Sequence, residues 1–132
     1  MGYLKIENLT SKVDDFILDD VNLTIEKNEY FVLLGQSGSG KTRLLETIAG
    51  LNDCSGSIFY KDESISILPS EKRDIGFVYQ DFALFPNLSV EKNIKYSARY
   101  KKIENAKEHF ADIVDFLKLG SLLSRETTEL SG

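Results

Sequence analysis

Cysteine is almost absent. Cys54 is the single cysteine among 132 residues, so no disulfide can close within the chain, and a small disulfide-stapled scaffold is excluded. With one histidine, His109, it makes no zinc set. Positive charge is also scarce: 16 Lys and Arg face 21 Asp and Glu, a formal net charge of -5. A chain without an excess of cations or a long basic run is poorly suited to neutralising phosphates along a duplex, so no nucleic-acid partner is expected. No apolar run approaches the roughly 18 residues a membrane helix needs. The opening residues Met1 to Glu7 alternate apolar with charged, unlike a signal peptide. These gaps point to a reduced, cytosolic setting, and a role at a membrane would require something else to hold the chain there. Neither an internal repeat nor a low-complexity segment is present. What remains is an ordinary globular balance, 42% apolar and 28% charged, at a length suited to one domain.

Leu4 and Ile6 alternate with Lys5 and Glu7, the pattern of a half-buried strand. A second strand is expected from about Phe16 to Ile25, after a turn at Asp14-Asp15. Asp19-Asp20 also reads as turn residues, and both acidic pairs read as solvated. Tyr30 to Leu34 is an unbroken apolar run, as in a strand buried on both faces. A helix should begin near Gly40, bury Leu44, Leu45, Ile48 and Ala49, and stop at Gly50. Ser57–Tyr60 and Ile75–Tyr79 are further strand candidates. Past Pro86 the spacing becomes helical: Val90–Lys101, then a clearer helix with Phe110, Ile113, Val114 and Leu117 on one face, ended by Gly120. His109, on the polar side of that helix, reads as a solvated surface residue.

Gly35-Gln36-Ser37-Gly38-Ser39-Gly40-Lys41-Thr42 fits the P-loop pattern in full, after a strand-like run and before a helical one. Glycines let main-chain N–H groups turn inward and approach phosphates closely, forming an anion-binding nest. The helix that starts here aims its positive end at the same place. Lys41 is expected to reach the β- and γ-phosphates, with Thr42 supplying a hydroxyl ligand to Mg²⁺ and Arg43 following at the nucleotide.

Phe77-Val78-Tyr79-Gln80-Asp81-Phe82-Ala83-Leu84-Phe85-Pro86-Asn87-Leu88-Ser89-Val90 closely resembles the Q-loop region of ABC-transporter ATPases. The final Glu129-Leu130-Ser131-Gly132 resembles the opening of that family's signature motif. Three markers in order, over essentially the whole chain, carry the resemblance. It implies an α/β P-loop NTPase fold: the N-terminal part of an ABC ATPase domain, with a P-loop and Q-loop core at 1–88 and a helical portion at 89–132. It implies ATP and Mg²⁺ as cofactors, with Gln80 contacting the metal and the attacking water. It also implies a transmembrane permease subunit engaged through the Q-loop and helical region. A second ATPase would dock head-to-tail, so that Leu130, Ser131 and Gly132 meet the partner's ATP. The location implied is cytoplasmic, peripheral at the inner face of the cell membrane. Within the family the chain is most similar to importer ATPases of the molybdate/tungstate and sulfate type.

The family places an aromatic ring against adenine where Val13 stands, so weaker stacking is expected unless Phe16 or Tyr3 takes part. The family's metal-binding Asp, water-activating Glu and switch His are expected beyond residue 132. The stop inside a motif suggests a fragment or one half of a split protein, and Tyr30–Leu34 would then lack a neighbouring strand. Two other readings stand beside the importer subunit. One is a nucleotide-binding remnant that hydrolyses nothing by itself. The other is an ABC-type ATPase of DNA repair, disfavoured because no sustained heptads follow Gln80. A kinase or GTPase leaves Gln80 and Leu130-Ser131-Gly132 unexplained.

Overall fold

Strands β1 (Leu4–Val13) and β2 (Phe16–Ile25) form an antiparallel hairpin closed at Val13↔Phe16. Asp14 makes that turn with φ 54, a left-handed conformation that short polar side chains tolerate. β3 (Ser55–Tyr60) lines the other side of β1, and β4 (Glu63–Ser64) follows it, giving a four-stranded sheet in the order β2-β1-β3-β4. All pairings are antiparallel. This computed structural model describes residues 3–100 and 103–130, and the chain falls into two compact units, Met1–Phe77 and Val78–Gly132.

The alternation of β1 does not run straight through. Ile6, Leu9 and Ser11 are the inward residues, at 1%, 0% and 3% exposure, so the spacing is three and then two. A bulge supplies the extra residue: the register shifts between Ile6 and Leu9, and Asn8 adopts φ 49. β2 repeats the device, with Asp20 at φ 46 between buried Leu18 and half-buried Val21. Asn8 Nδ2 donates to Asp20 Oδ1 at 2.9 Å, and Asn8 N–H to Asn22 Oδ1 at 2.9 Å. The bonds from Asn8 and Asn22 hold the Asp20 carboxyl below the usual carboxylate range. Asp19-Asp20 therefore belongs to a bulged strand and not to the expected turn. Gly56 fits against the β1 bulge with φ 90, where a Cβ would stand 2.3 Å from the Asn8 carbonyl oxygen.

Helix α1 (Lys41–Ala49) covers the sheet. Its Leu44 and Ile48 join Ile6, Leu9, Leu18, Ile58 and Ile65 in one apolar cluster, each such side chain contributing about 1.5–3 kcal/mol by leaving water. Leu45, expected inside, is 48% exposed, because its position falls off the stripe that Leu44 and Ile48 define. Gly50, at φ 82, ends α1: its N–H reaches the Thr47 carbonyl at 3.1 Å, and the Leu51 N–H reaches that of Glu46 at 2.9 Å. Buried Arg73 closes the same end, donating to the carbonyls of Thr47 and Ile48 at 3.0 Å each, Leu68 at 2.8 Å and Ser66 at 2.9 Å.

Two expected strands do not form. Tyr30–Leu34 is irregular, with Tyr30 and Leu34 at 93% and 86% exposure and only Leu33 packed on the core. Ile75–Tyr79 is also irregular, with Ile75 packed on the core and Val78 exposed. A strand exists only with neighbours to take its N–H and C=O groups, and among the described residues neither segment belongs to a ladder.

In the second unit, α2 covers Val90–Ile94 only, followed by a 3-10 turn at Ser97–Arg99; Lys101, the expected end, lies outside the described residues. Ser89 caps α2 by accepting the Lys92 N–H at 3.4 Å. α3 (Ala106–Phe116) forms as the spacing predicts, although Ile113, Phe116 and Leu117 remain exposed. It stops before Gly120, because Lys118 takes the left-handed position at φ 55 and the Leu119 N–H returns to Val114 at 2.9 Å. Gly120 instead opens a 3-10 turn.

Candidate functional site

The glycine-rich loop runs exposed from Gly35 through Ser39 into α1. Gly38 and Gly40 have φ 79 and 91, a region a side chain resists. Gly40 has a second reason to be glycine: a Cβ there would lie 2.4 Å from Phe16 Cζ. The hairpin tip thus sets the Phe16 ring against the last glycine of the loop, with Val13 directly across the strand pair. At Gly35 a Cβ would come within 2.7 Å of Ser39 Oγ. No side chain caps α1, and its first turn holds no acidic residue, so the orphan N–H groups at that end lack the partner a capping side chain would supply.

Lys41 folds back over the loop. Its ammonium donates to the carbonyls of Gly35 at 2.8 Å and Gln36 at 2.7 Å, and to Ser39 Oγ at 3.2 Å. Thr42 is exposed beside it. Arg43 points along the helix to Glu46 at 3.2 Å and stands 3.9 Å from Asp14. An exposed glycine loop, an uncapped helix start and an ammonium laid over the loop form a donor set suited to an anion of several oxygens. The same residues would hold the phosphates of ATP, and Thr42 would hold their Mg²⁺.

Gln80 lies in the second unit, exposed in a turn where the Phe82 N–H bonds the Tyr79 carbonyl at 3.0 Å. Phe82 and Ala83 follow at φ 64 and 45. Leu130 is half-buried, and Ser131 and Gly132 lie outside the described residues. Tyr3 stands at the end of β1 remote from Val13, about 30 Å away at strand rise, with its hydroxyl 3.2 Å from that of Tyr60. It is too distant to take the place of Val13; Phe16 is close by. His109 is exposed on α3, as expected. Cys54 is half-buried, and burial, with help from Asp53, keeps its thiol above the usual range against the opposing charge of Arg73. Such a thiol is a weak nucleophile at neutral pH.

Sequence reasoning missed three residues that shape these loops. Arg73 carried no signal beyond being one cation in a polar stretch. Asn93 clasps the segment after Gln80: its Nδ2 donates to the carbonyls of Phe85, Leu88 and Ser89, each at 3.1 Å, and its Oδ1 accepts the Phe85 N–H at 2.9 Å. An asparagine inside a helical pattern, where its propensity is poor, was the available clue. Thr127 Oγ1 donates to the Phe85 carbonyl at 3.2 Å.

Comparison with known proteins bears on the family and the fold. The family described as ABC transporter matches residues 18–132. Molybdate/tungstate import ATP-binding proteins WtpC of Thermococcus kodakarensis and Methanocaldococcus jannaschii are 40% and 43% identical over 98% of the chain. An Fe(3+) ions import ATP-binding protein, FbpC of Fusobacterium nucleatum, is 40% identical over 88% of it. The chain covers 40%, 44% and 32% of those relatives, about two fifths of their length. A solved structure, MJ1267, an ATP-binding cassette of an ABC transporter, superposes over 100% of the chain and 60% of its own, with TM-score 0.72 and 27% identity. Among the described residues no helix is long and apolar enough to cross a membrane. Glycine loop, helix start, fold and sequence agree: the chain belongs to the ABC transporter family.

Proposed function

We propose that this chain is the N-terminal part of the ATP-binding subunit of an importer, and that it binds MgATP through Gly35–Thr42. The observation that carries the reading is the exposed glycine loop opening an uncapped α1 with the Lys41 ammonium laid across it. Lys41 exchanges its carbonyl partners for the β- and γ-phosphates, the loop amides hold the remaining oxygens, and the Thr42 hydroxyl meets Mg²⁺. Gln80 is the second metal contact and orients water. Val13 and Phe16 provide the apolar surface for the base. Bound MgATP supplies phosphoryl transfer to water, which these residues position and stabilise.

The assembly we propose has two such subunits head-to-tail, Leu130-Ser131-Gly132 of one meeting the nucleotide of the other. A membrane permease engages the Gln80 loop and the helical portion at 89–132, on the cytoplasmic face. Names of the relatives support import of a solute. Molybdate or tungstate is the solute favoured, since those two relatives span nearly the whole chain.

Titration of the 132-residue chain with a fluorescent ATP analogue and Mg²⁺ tests the reading. Lys41→Ala is expected to weaken binding at least tenfold, the loss of one charge-assisted contact to phosphate. Equal affinity in both proteins would remove the P-loop assignment. Phosphate release by the same chain is expected to be absent; release that disappears in Lys41→Ala would show that it turns ATP over unaided.

A further inference from the structure

At the end of the sheet remote from the glycine loop, two tyrosines meet that the importer reading leaves unused. Tyr3 precedes β1 and Tyr60 closes β3. The register brings them together: Leu4 pairs with Tyr60, and the Lys61 N–H donates to the Tyr3 carbonyl at 2.9 Å. The two hydroxyls stand 3.2 Å apart, and the rings meet edge to face with centroids 5.1 Å apart. The ring carbons beside each hydroxyl are therefore neighbours across the pair. Lys61 lays its ammonium 4.6 Å from the Tyr60 centroid and 5.7 Å from that of Tyr3. The bond from Tyr60, with the charges of Lys61 and Lys27 behind it and burial opposing, holds the Tyr3 phenol below its usual range. A phenol that gives up its proton more readily also gives up an electron more readily, because the phenolate is the easier form to oxidise. Both residues are half-buried, so an oxidant meets part of each ring. The single thiol, Cys54, competes weakly, since burial pushes its pKa up.

We propose that Tyr3 and Tyr60 form an oxidative modification site, where a one-electron oxidant of the peroxidase and peroxide class couples the two rings into a dityrosine that staples β1 to β3. Each phenol gives up one electron and one proton. The two phenoxyl radicals join by a carbon–carbon bond between ring positions ortho to oxygen. The hydrogens on those carbons move to the oxygens as aromaticity returns. Hydrogen peroxide takes up the two electrons and two protons and becomes two waters, so the chain loses two hydrogen atoms. Thiols do not undo such a link, unlike a disulfide. It closes a loop between residues 57 apart in sequence, and taking that freedom from the unfolded chain favours the fold. A second pair, Tyr96 and Tyr100, offers an internal comparison, with hydroxyls 3.5 Å and centroids 5.5 Å apart. There the bond to Tyr100 holds the Tyr96 phenol above its usual range. The inference stands apart from the importer reading.

The test applies a haem peroxidase and hydrogen peroxide to the chain at submicromolar concentration, where coupling between chains is slow. Dityrosine fluorescence reports the link, and peptide mapping by mass spectrometry places it. The expected product is a monomer lighter by two hydrogen atoms, linked between Tyr3 and Tyr60. Its yield should exceed that of a Tyr96–Tyr100 link about fivefold or more, as held proximity dictates. Tyr3→Phe and Tyr60→Phe keep the ring and remove only the hydroxyl, and each should abolish the link; Tyr96→Phe should leave it. The linked monomer should melt about 10 °C higher than the untreated chain. Absence of a link within the wild-type chain overturns the proposal. So does a link placed chiefly at Tyr96–Tyr100 or between chains, or one that forms at full yield in Tyr3→Phe. A linked monomer that melts no higher overturns the stapling.

Discussion

Arg73 places its guanidinium against four carbonyl oxygens, from Thr47, Ile48, Leu68 and Ser66. Two of these belong to the last turn of α1, where unpaired carbonyls make the negative end of the helix dipole. Burial pulls the guanidinium pKa down from its ordinary value, yet a group that basic stays charged. The cation is thus compensated by dipoles alone among the bonds described, and removing it leaves several buried acceptors unsatisfied. Arg73→Met, of similar length, should lower stability by about 3 kcal/mol, measured as the shift of a urea midpoint at constant slope. A loss under about 1 kcal/mol would mean that water reaches those carbonyls. None of this was legible in the sequence. An arginine in a polar stretch has the same letter whether it is solvated or buried, and burial is decided by the closure of the Leu68–Arg73 segment over α1. Gly38 and Gly40 were legible, because their requirement is local: a turn, a helix start and no room for a side chain.

Elements were readable where their stabilising partners lie close in sequence. The hairpin and α1 came out as their patterns indicate, since a two-residue turn and an i, i+4 stripe need only neighbouring residues. Tyr30–Leu34 shows the opposite case. Its apolar run was read as a buried strand, but strandedness depends on ladder partners, and composition does not contain them. The bulges in β1 and β2 were also invisible, because a spacing of three between Ile6 and Leu9 reads as noise until the extra residue is seen at Asn8. Gly56 is the mark of that bulge on the neighbouring strand. Gly56→Ala should cost about 2 kcal/mol or more, from a left-handed φ and a collision with main chain that cannot move aside. Gly76→Ala is the control, with nothing within 4 Å of an added Cβ, and should stay within about 0.5 kcal/mol. Equal effects in thermal or urea melts would show that the bulge relaxes.

For the molecule as a whole, the main liability is apolar surface that no described residue covers. Tyr30, Val32 and Leu34 are exposed in a segment that joins no ladder among the described residues, a template for pairing with another chain. The 132-residue chain should therefore self-associate as its concentration rises through the micromolar range. Val32→Lys should raise the monomer fraction severalfold in sedimentation velocity, with stability changed by no more than about 0.5 kcal/mol. A monomer insensitive to both concentration and Val32→Lys would show this surface to be benign. At this scale the candidate site was only half legible: the loop and its lysine stood out, while the clasp at Phe85 required three-dimensional neighbours far apart in sequence. Contact at the end of α1 also restricts how the protein can drift over generations. A Cβ at Gly50 would stand 2.5 Å from Arg73 Nε, and the residue holds φ 82, so a larger residue at 50 meets both a collision and a strained backbone. Shortening 73 would relieve the collision alone and would strand the carbonyls that the guanidinium serves. The two positions are therefore unequal over generations: 73 can drift while 50 stays glycine, and a homologue with a larger residue at 50 should be found to end this helix in another way.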